Sequence, residues 1–540
     1  MNRSLLLVVM FLPVVFTSGR NTFTDGMFQY KVWSYVGNVE VEDSAVTITS
    51  IDRSKLAGPF YGKELVIPAT VVHNGYRYKV EAIGDCAFAG CNDFERVVIS
   101  EGIEWIEGSA FNSCNNLQSV FIPSTVSLIE SNPFTNCLNL KEIIVDEKNT
   151  IFNSRNSCNA IIETASGKLV AGCYTTKIPE SVKILGHCAF KGCLKLEHMS
   201  LPEGITELEW GVFKDCANLI SVHLPHSLEK IDGSALFYNC TRLKSVHIPE
   251  NVSAFVEDGT LFGGCISLDS VTVDSRNKYY DSRNNCNAII ETASGKLVAG
   301  CGRTRIPDGV KEIQRLAFFG TTIRDINIPA SVTTIHHKAF ADIKYCTSMT
   351  VDEKNAVYDS RQGCNAIIEK ATNKVIAGCL TTVIPESVTE IGCYAFYRTK
   401  LSDVFIIPNR ITKIGGSAFC YAECDKLFIP ESVKDIEDFA FSKCSFNEIC
   451  WLGHVEEIKP YCFANCPNLQ MFHISDGTKR IDHGAFEDCP RLEYISLPES
   501  LEQIKYSAFS NSPCEEFVKK YWETIFTPRP TSHCPVCGED

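Results

Sequence analysis

The chain lacks the short motifs that mark the common catalytic centres. Across its 540 residues there is no His-Glu-x-x-His, no Gly-x-x-x-x-Gly-Lys-Ser/Thr, no Gly-x-Ser-x-Gly and no dinucleotide-type glycine fingerprint. Zinc-protease, P-loop, hydrolase-elbow and Rossmann chemistry are therefore not expected, and no cofactor is implied. Positive charge is also short. With 51 Lys+Arg against 65 Asp+Glu the net charge is −14, a field that repels phosphate backbones and anionic lipid, so nucleic-acid partners are not expected. Beyond the first sixteen residues no segment approaches eighteen consecutive apolar residues, and no membrane span is expected. What the chain has is apolar material: 45% of residues are hydrophobic and 21% charged, enough to build a large core.

The N-terminus reads as an export signal. Met1-Asn2-Arg3 is positively charged, Ser4–Phe16 is apolar apart from its first residue, and Thr17-Ser18-Gly19 supplies small residues for cleavage. At ~1.5 Å per residue this stretch is too short to cross ~30 Å of hydrocarbon. Residues 1–19 are accordingly expected to be a signal peptide, giving a secreted or cell-surface protein.

A repeat dominates the rest. Phe88, Phe111, Phe134, Phe190, Phe213, Phe237, Phe262, Phe318, Phe340, Phe396, Phe419, Phe441, Phe463, Phe486 and Phe509 recur at spacings of 22 to 25 residues, apart from three gaps of 56. Each long gap equals one 23-residue unit plus an insert of 33. Between phenylalanines the unit reads Cys114, Leu117, Val120, Ile122, Pro123, Val126, Ile129. Val120 and Ile122, two apart, point to one face of a short strand, and proline, which has no N–H to donate, ends it. The later Val-x-x-Ile and Ala-Phe bring the chain back as turns or short helical pieces. One such coil cannot bury its apolar side alone, whereas stacked coils make a continuous core.

This pattern resembles the leucine-rich repeats, and closely the BspA-like bacterial surface-protein family with its Ile-Pro-x-x-Val-x-x-Ile-x-x-x-Ala-Phe consensus. The resemblance implies a leucine-rich-repeat solenoid of about fifteen repeats, with one short parallel strand per coil. It also implies surface adhesion and protein or glycan partners.

The expected organisation is a strand-rich cap over 20–61, the solenoid over 62–513, a closing amphipathic helix over 514–526 and a tail over 527–540. The three long units carry near-copies of one segment, Ser154–Cys173, Ser282–Cys301 and Ser360–Cys379. Asn-Ala-Ile-Ile-Glu, a turn, then Leu-Val-Ala-Gly describes a β-hairpin that extends the coil at one edge.

Of the 27 cysteines, ten stand three residues after a repeat phenylalanine and six flank the hairpins. The resemblance to leucine-rich repeats implies that one cysteine per coil bonds to the backbone of a tight turn, and side chains stacked in register point the same way, whereas a disulfide needs converging Cβ vectors. The hairpin pairs, such as Cys158 with Cys173, are the better disulfide candidates. Cys534 and Cys537 form half of a zinc ribbon without its second half, a weak metal candidate; a local disulfide or free thiols are the alternative.

One face remains for recognition. The residue between Val and Ile of each strand points away from the core, and that column includes Val98, Phe121, Ile144, Ser200, His223, His247 and Phe428. Val98, Phe121 and Ile144 on successive coils would make an apolar stripe flanked by Glu95, Arg96, Gln118, Lys141 and Glu142, the makeup of a recognition surface. Burial of this stripe under the N-terminal cap is the competing expectation. His223 and His247, one coil apart, are expected to face solvent. The expected function is non-enzymatic: exported binding of a protein or glycan through the sheet face, or alternatively a structural surface spacer without a ligand.

Overall fold

The computed structural model describes residues 22–32, 45–52, 63–232, 234–255, 260–451 and 453–526. The expected signal peptide and the Cys534–Cys537 tail lie outside these residues. The described residues divide into two compact units, one of those up to 165 with 170–177 and one of 166–169 with those from 178 onward.

In the first unit two sheets enclose the core. One is a parallel ladder of four strands, Glu64–Ile67, Arg96–Ile99, Ser119–Ile122 and Glu142–Val145, paired residue for residue. Leu65, Val97, Val120 and Ile143 point inward together with Ile67, Ile99, Ile122 and Val145, and all eight are buried. The other sheet uses the later Ile of each repeat: Trp105–Ile106 and Leu128–Ile129 pair in parallel as two-residue strands. So the return side of each coil is itself a ladder, and the Ala-Phe segment between the two sheets runs as turns. The N-terminal strands Thr22–Asp25, Phe28–Val32 and Ala45–Ile51 join this second sheet through Tyr76–Ile83. Tyr76–Ile83 also pairs antiparallel with Thr70–His73 across Asn74-Gly75. Both turn residues have positive φ, +52° and +84°, the geometry that makes Asn-Gly a tight hairpin turn.

The second unit repeats the scheme. Its sheet face holds, among others, His198–Ser200, Ser221–His223, Ser245–Ile248 and Ser270–Val273 in parallel. Further along stand Asp325–Ile328 with Ser348–Val351, and Val404–Ile406 with Lys426–Ile429 and Glu448–Trp451. The hairpins Ala288–Glu291/Lys296–Gly300 and Ala366–Glu369/Lys374–Gly378 are antiparallel inside, and their second strands enter the return-side ladder in parallel. The helix Glu515–Phe526 follows the last coil, with Val518 buried against the core and Phe517 exposed.

The repeat phenylalanines are the spine of each unit. Their rings stack face to face along the coils, at centroid separations from 5.0 Å for Phe88–Phe111 to 6.1 Å for Phe237–Phe262. Twelve of the largest fully buried side chains include Phe88, Phe111, Phe190, Phe213, Phe396 and Phe463. The turn around most of these rings is tight because the residues two before and two after it take left-handed backbone conformations, as at Ser109 and Ser113 around Phe111 or Tyr394 and Arg398 around Phe396. Such conformations cost L-residues energy, so the ladder of inter-coil bonds must hold them.

Cysteine supplies part of that ladder. In eight coils, Cys114, Cys137, Cys216, Cys240, Cys265, Cys444, Cys466 and Cys489, the thiol donates to the carbonyl of the phenylalanine one coil earlier, at 2.9–3.2 Å. In the last coil Ser512 Oγ makes the equivalent bond to the Phe486 carbonyl at 2.7 Å. All 25 cysteines among the described residues are free thiols, the hairpin pairs included.

The three long units replace the proline with Asp and place an asparagine three residues on. Asn149, Asn277 and Asn355 each donate through Nδ2 to two carbonyls of the preceding coil, and each Oδ1 accepts two backbone N–H groups of its own turn. With all four amide bonds made, the desolvation of each side chain is compensated and the entry to each hairpin is fixed.

Candidate functional site

Strand alternation delivers Val98, Phe121 and Ile144 to the outer face of the first unit. They are adjacent in register, Val98 opposite Phe121 and Phe121 opposite Ile144, so neighbouring Cα atoms stand about 4.8 Å apart. All three are half-buried and none belongs to the core cluster. The register adds a fourth member that the repeat spacing does not point to: Val66 pairs with Val98 and is 52% exposed. In its coil the Thr70–His73/Tyr76–Ile83 hairpin lengthens the stretch to the repeat phenylalanine, so Phe88 follows Val66 by 22 residues where Phe111 follows Val98 by 13.

A polar column runs beside the apolar one. Glu64, Arg96, Ser119 and Glu142 lie in register two residues before it, and Arg96 Nε holds Glu64 Oε2 at 3.0 Å. Lys63 bonds Glu95 on the next coil. The cap strands Phe28–Val32 and Ala45–Ile51 sit in the opposite sheet, with their inward side chains Phe28, Tyr30, Val46 and Ile48 buried in the core.

The second unit has a shorter stripe of the same kind. Ile406, Phe428 and Cys450 are in register, Ile406 is 65% exposed and Val404 beside it is also exposed. Lys426 lies over the Phe428 ring at 5.0 Å while pairing with Glu448 at 2.7 Å. Sequence reading finds Phe428 but misses Ile406 and Cys450. In Val404-Phe405-Ile406-Ile407 the apolar run is unbroken and hides the alternation that would have shown them.

The remaining column is polar. His223 and His247 are exposed, and His247 Nδ1 shares a hydrogen with Thr272 Oγ1 at 2.9 Å. Among the described residues no group of three or more His, Cys, Asp or Glu side chains could hold a metal ion. Burial governs two of the spine-side thiols: Cys216 and Cys265 are pushed up to about 12 by desolvation, which keeps them protonated and unreactive. Among the described residues no helix is long and apolar enough to cross a membrane.

Two parallel sheets around a stacked phenylalanine spine, with one coil per 22–25 residues, match one repeat family across most of the chain. The model of the BspA-type leucine-rich repeat region matches residues 75–166, 171–289, 299–374 and 389–516. The chain belongs to the BspA-type leucine-rich repeat family. No curated protein sequence matches it. Among solved structures it is similar to a leucine-rich cell surface protein from Faecalibacterium prausnitzii, at 24% identity over 92% of this chain and 93% of that one, with a TM-score of 0.36. It is similar too to a leucine-rich repeat protein from Eubacterium ventriosum, at 14% identity over 94% and 95% with a TM-score of 0.36. A leucine-rich repeat protein from Bacteroides ovatus matches at 20% identity over 91% and 92%, with a TM-score of 0.31. The family assignment rests on the repeats.

Proposed function

We propose that this leucine-rich repeat protein is an exported, non-enzymatic binding protein that grips a protein partner through the outer face of its first unit. The observation that carries the reading is the four-deep ladder Val66, Val98, Phe121, Ile144, held in register and bordered by the charged column of Glu64, Arg96 and Glu142. A stripe of apolar side chains on a rigid sheet with a polar rim is the makeup of a protein-recognition patch. Buried residues in the same strands alternate strictly with it, so the stripe is not a continuation of the core. Export follows from the charged, apolar and small order of residues 1–19. The family is one in which surface proteins are known, and a cell-surface place fits both.

The test is binding of the purified protein to immobilised extracellular-matrix and surface proteins, with Phe121→Ser as the probe of the site. Saturable binding that weakens in Phe121→Ser while the melting temperature stays nearly unchanged is the expected result. A large drop in melting temperature would mean that Phe121 belongs to the core. Absence of saturable binding to any partner would favour a structural spacer instead.

A further inference from the structure

Between Ser270–Val273 and Asp325–Ile328 the sheet face of the second unit is interrupted, since those strands do not pair and the intervening coil, Cys301 to Ile306, forms turns instead of a strand. The gap opens into a hollow of about 1110 Å³. That is just above the ~300–1,000 Å³ typical of small-ligand sites, so there is room for a short oligomer. The corresponding coils after the other two hairpins begin with Tyr174 and Leu380, where this one has Gly302. Space there is tight: a Cβ on Gly302 would stand 2.3 Å from Thr322 Oγ1, so a side chain would require the Thr322 hydroxyl to swing away. The coil is pinned in place by Thr304, whose hydroxyl accepts from Cys301 N at 2.7 Å and donates to the Asn287 carbonyl at 2.5 Å.

The lining is unlike the rest of this acidic protein. Arg303, Arg305 and Arg324 line the hollow against Asp269 and Asp325. Arg303 Nε is held by Asp269 at 2.8 Å. Arg305 and Arg324 are exposed, and among the described residues neither has a carboxylate partner. The equivalents of Arg303 and Arg305 after the other hairpins are Thr175 and Lys177, and Thr381 and Val383. Around the arginines stand neutral hydrogen-bonding side chains, Asn287, Asn327, Thr322, Ser348 and Thr350, and one aromatic ring, Tyr345, which is 50% exposed.

We propose that this hollow binds an acidic oligosaccharide, one whose sugar rings carry carboxylates. Guanidinium forks match carboxylates bidentately, and the amides and hydroxyls match a ligand rich in hydroxyl groups. Asp325 accepts from sugar hydroxyls, and the exposed Tyr345 ring offers a flat apolar surface for the C–H face of a pyranose. An acidic peptide fits less well, because Ile266, Ile306, Ile323 and Ile326 are the only aliphatic side chains in the lining and they form no deep side-chain pocket. The overall charge of −14 opposes any polyanion at long range, so binding here depends on the local pair of arginines and weakens with salt.

The experiment is calorimetric titration of the full-length protein with a hyaluronan tetrasaccharide, a neutral chitin tetrasaccharide and a tetraglutamate peptide. The uronate-bearing sugar is expected to bind, the neutral sugar and the peptide much more weakly. Arg305→Ala and Arg324→Ala should each weaken it roughly ten-fold, the worth of one charge-assisted bond. Tyr345→Ala should weaken it as well. Arg410→Ala, on a coil far along the same unit, should leave it unchanged, and unchanged melting temperatures in all variants exclude unfolding as the cause. Binding of tetraglutamate as tightly as the uronate sugar overturns the proposal, as does equal binding of the neutral sugar or an undiminished affinity in both arginine variants. Because these residues belong to the second unit and Val66–Ile144 to the first, failure here leaves the protein-binding reading of the first unit to its own test.

Discussion

Removing one ring from the middle of the phenylalanine spine should cost more than removing one from its end. Phe213 is 0% exposed and lies between Phe190 and Phe237, both at 5.7 Å and within 13° and 3° of parallel. Phe509 is 3% exposed and stacks on one ring, Phe486, at 5.1 Å. A buried Phe→Ala change loses the transfer term and leaves a cavity, together roughly 3–5 kcal/mol. Each ring pair adds about 0.5–1.5 kcal/mol beyond burial. Phe213→Ala forfeits two such pairs and Phe509→Ala one, so the mid-array change should be the worse by about 1 kcal/mol. In an array whose coils contact mainly their neighbours a single unfolding transition is not guaranteed. The measurement is therefore urea unfolding followed by tryptophan fluorescence, combined with hydrogen exchange at the inter-coil amides of Phe190, Phe213 and Phe237, which bond to Val212, Leu236 and Leu261. Faster exchange at these three amides, with the last coils unaffected, is expected for Phe213→Ala. If Phe509→Ala proved equally or more costly, the spine would not be the source of stability and the reasoning would fail.

Alkali should loosen the second unit through its thiols. Cys216 and Cys265 titrate near 12 when folded against 9.0 when exposed, so their contribution to stability is complete below pH 9 and is lost as pH rises toward 12. The loss is about 1.4 kcal/mol per pH unit for each thiol across that window. Cys216→Ser, which keeps a donor for the Phe190 carbonyl, should flatten the pH dependence of the urea midpoint, and an unchanged slope would refute the assignment. Asn355→Ala removes four bonds from a buried turn and should cost on the order of 3 kcal/mol in urea unfolding. Asn355→Asp, which cannot donate to the Pro329 and Val332 carbonyls, should be nearly as harmful.

Much of this fold is readable from spacing alone, because every coil must place the same apolar residues in the same interior. Leu117, Val120, Ile122 and Phe111 recur at one interval, and that interval forces one strand and one ring per coil, with proline ending most of the strands. The second ladder is harder to see. It consists of two-residue strands such as Leu128–Ile129, too short to carry an alternating pattern, and it forms only because the neighbouring coils bring the backbone groups together. The left-handed turns are hidden for a related reason: bulky residues such as Leu316, Tyr394 and Phe439 occupy them, and nothing in those residue types announces positive φ. Their geometry is imposed by the bonds between coils. Phe439 at one such turn stacks on Tyr461 of the next at 5.0 Å, which offsets part of the strain.

The candidate sites follow the opposite logic. A repeat makes its structural residues predictable and its functional ones exceptional, because recognition requires a surface that differs from coil to coil. Val98, Phe121 and Ile144 could be found by asking which outward positions depart from polarity. Val66 could not, since the hairpin at Asn74-Gly75 displaces the phenylalanine that would have set its register. Gly302 shows the limit most clearly. It lies in the coil after a hairpin copy that differs from the first copy only in Asn285 for Ser157, so a comparison of the copies themselves passes over it. At that position Tyr174 and Leu380 carry side chains and Gly302 does not, and only the close approach of Thr322 Oγ1 across the coil shows how little room a side chain would have there.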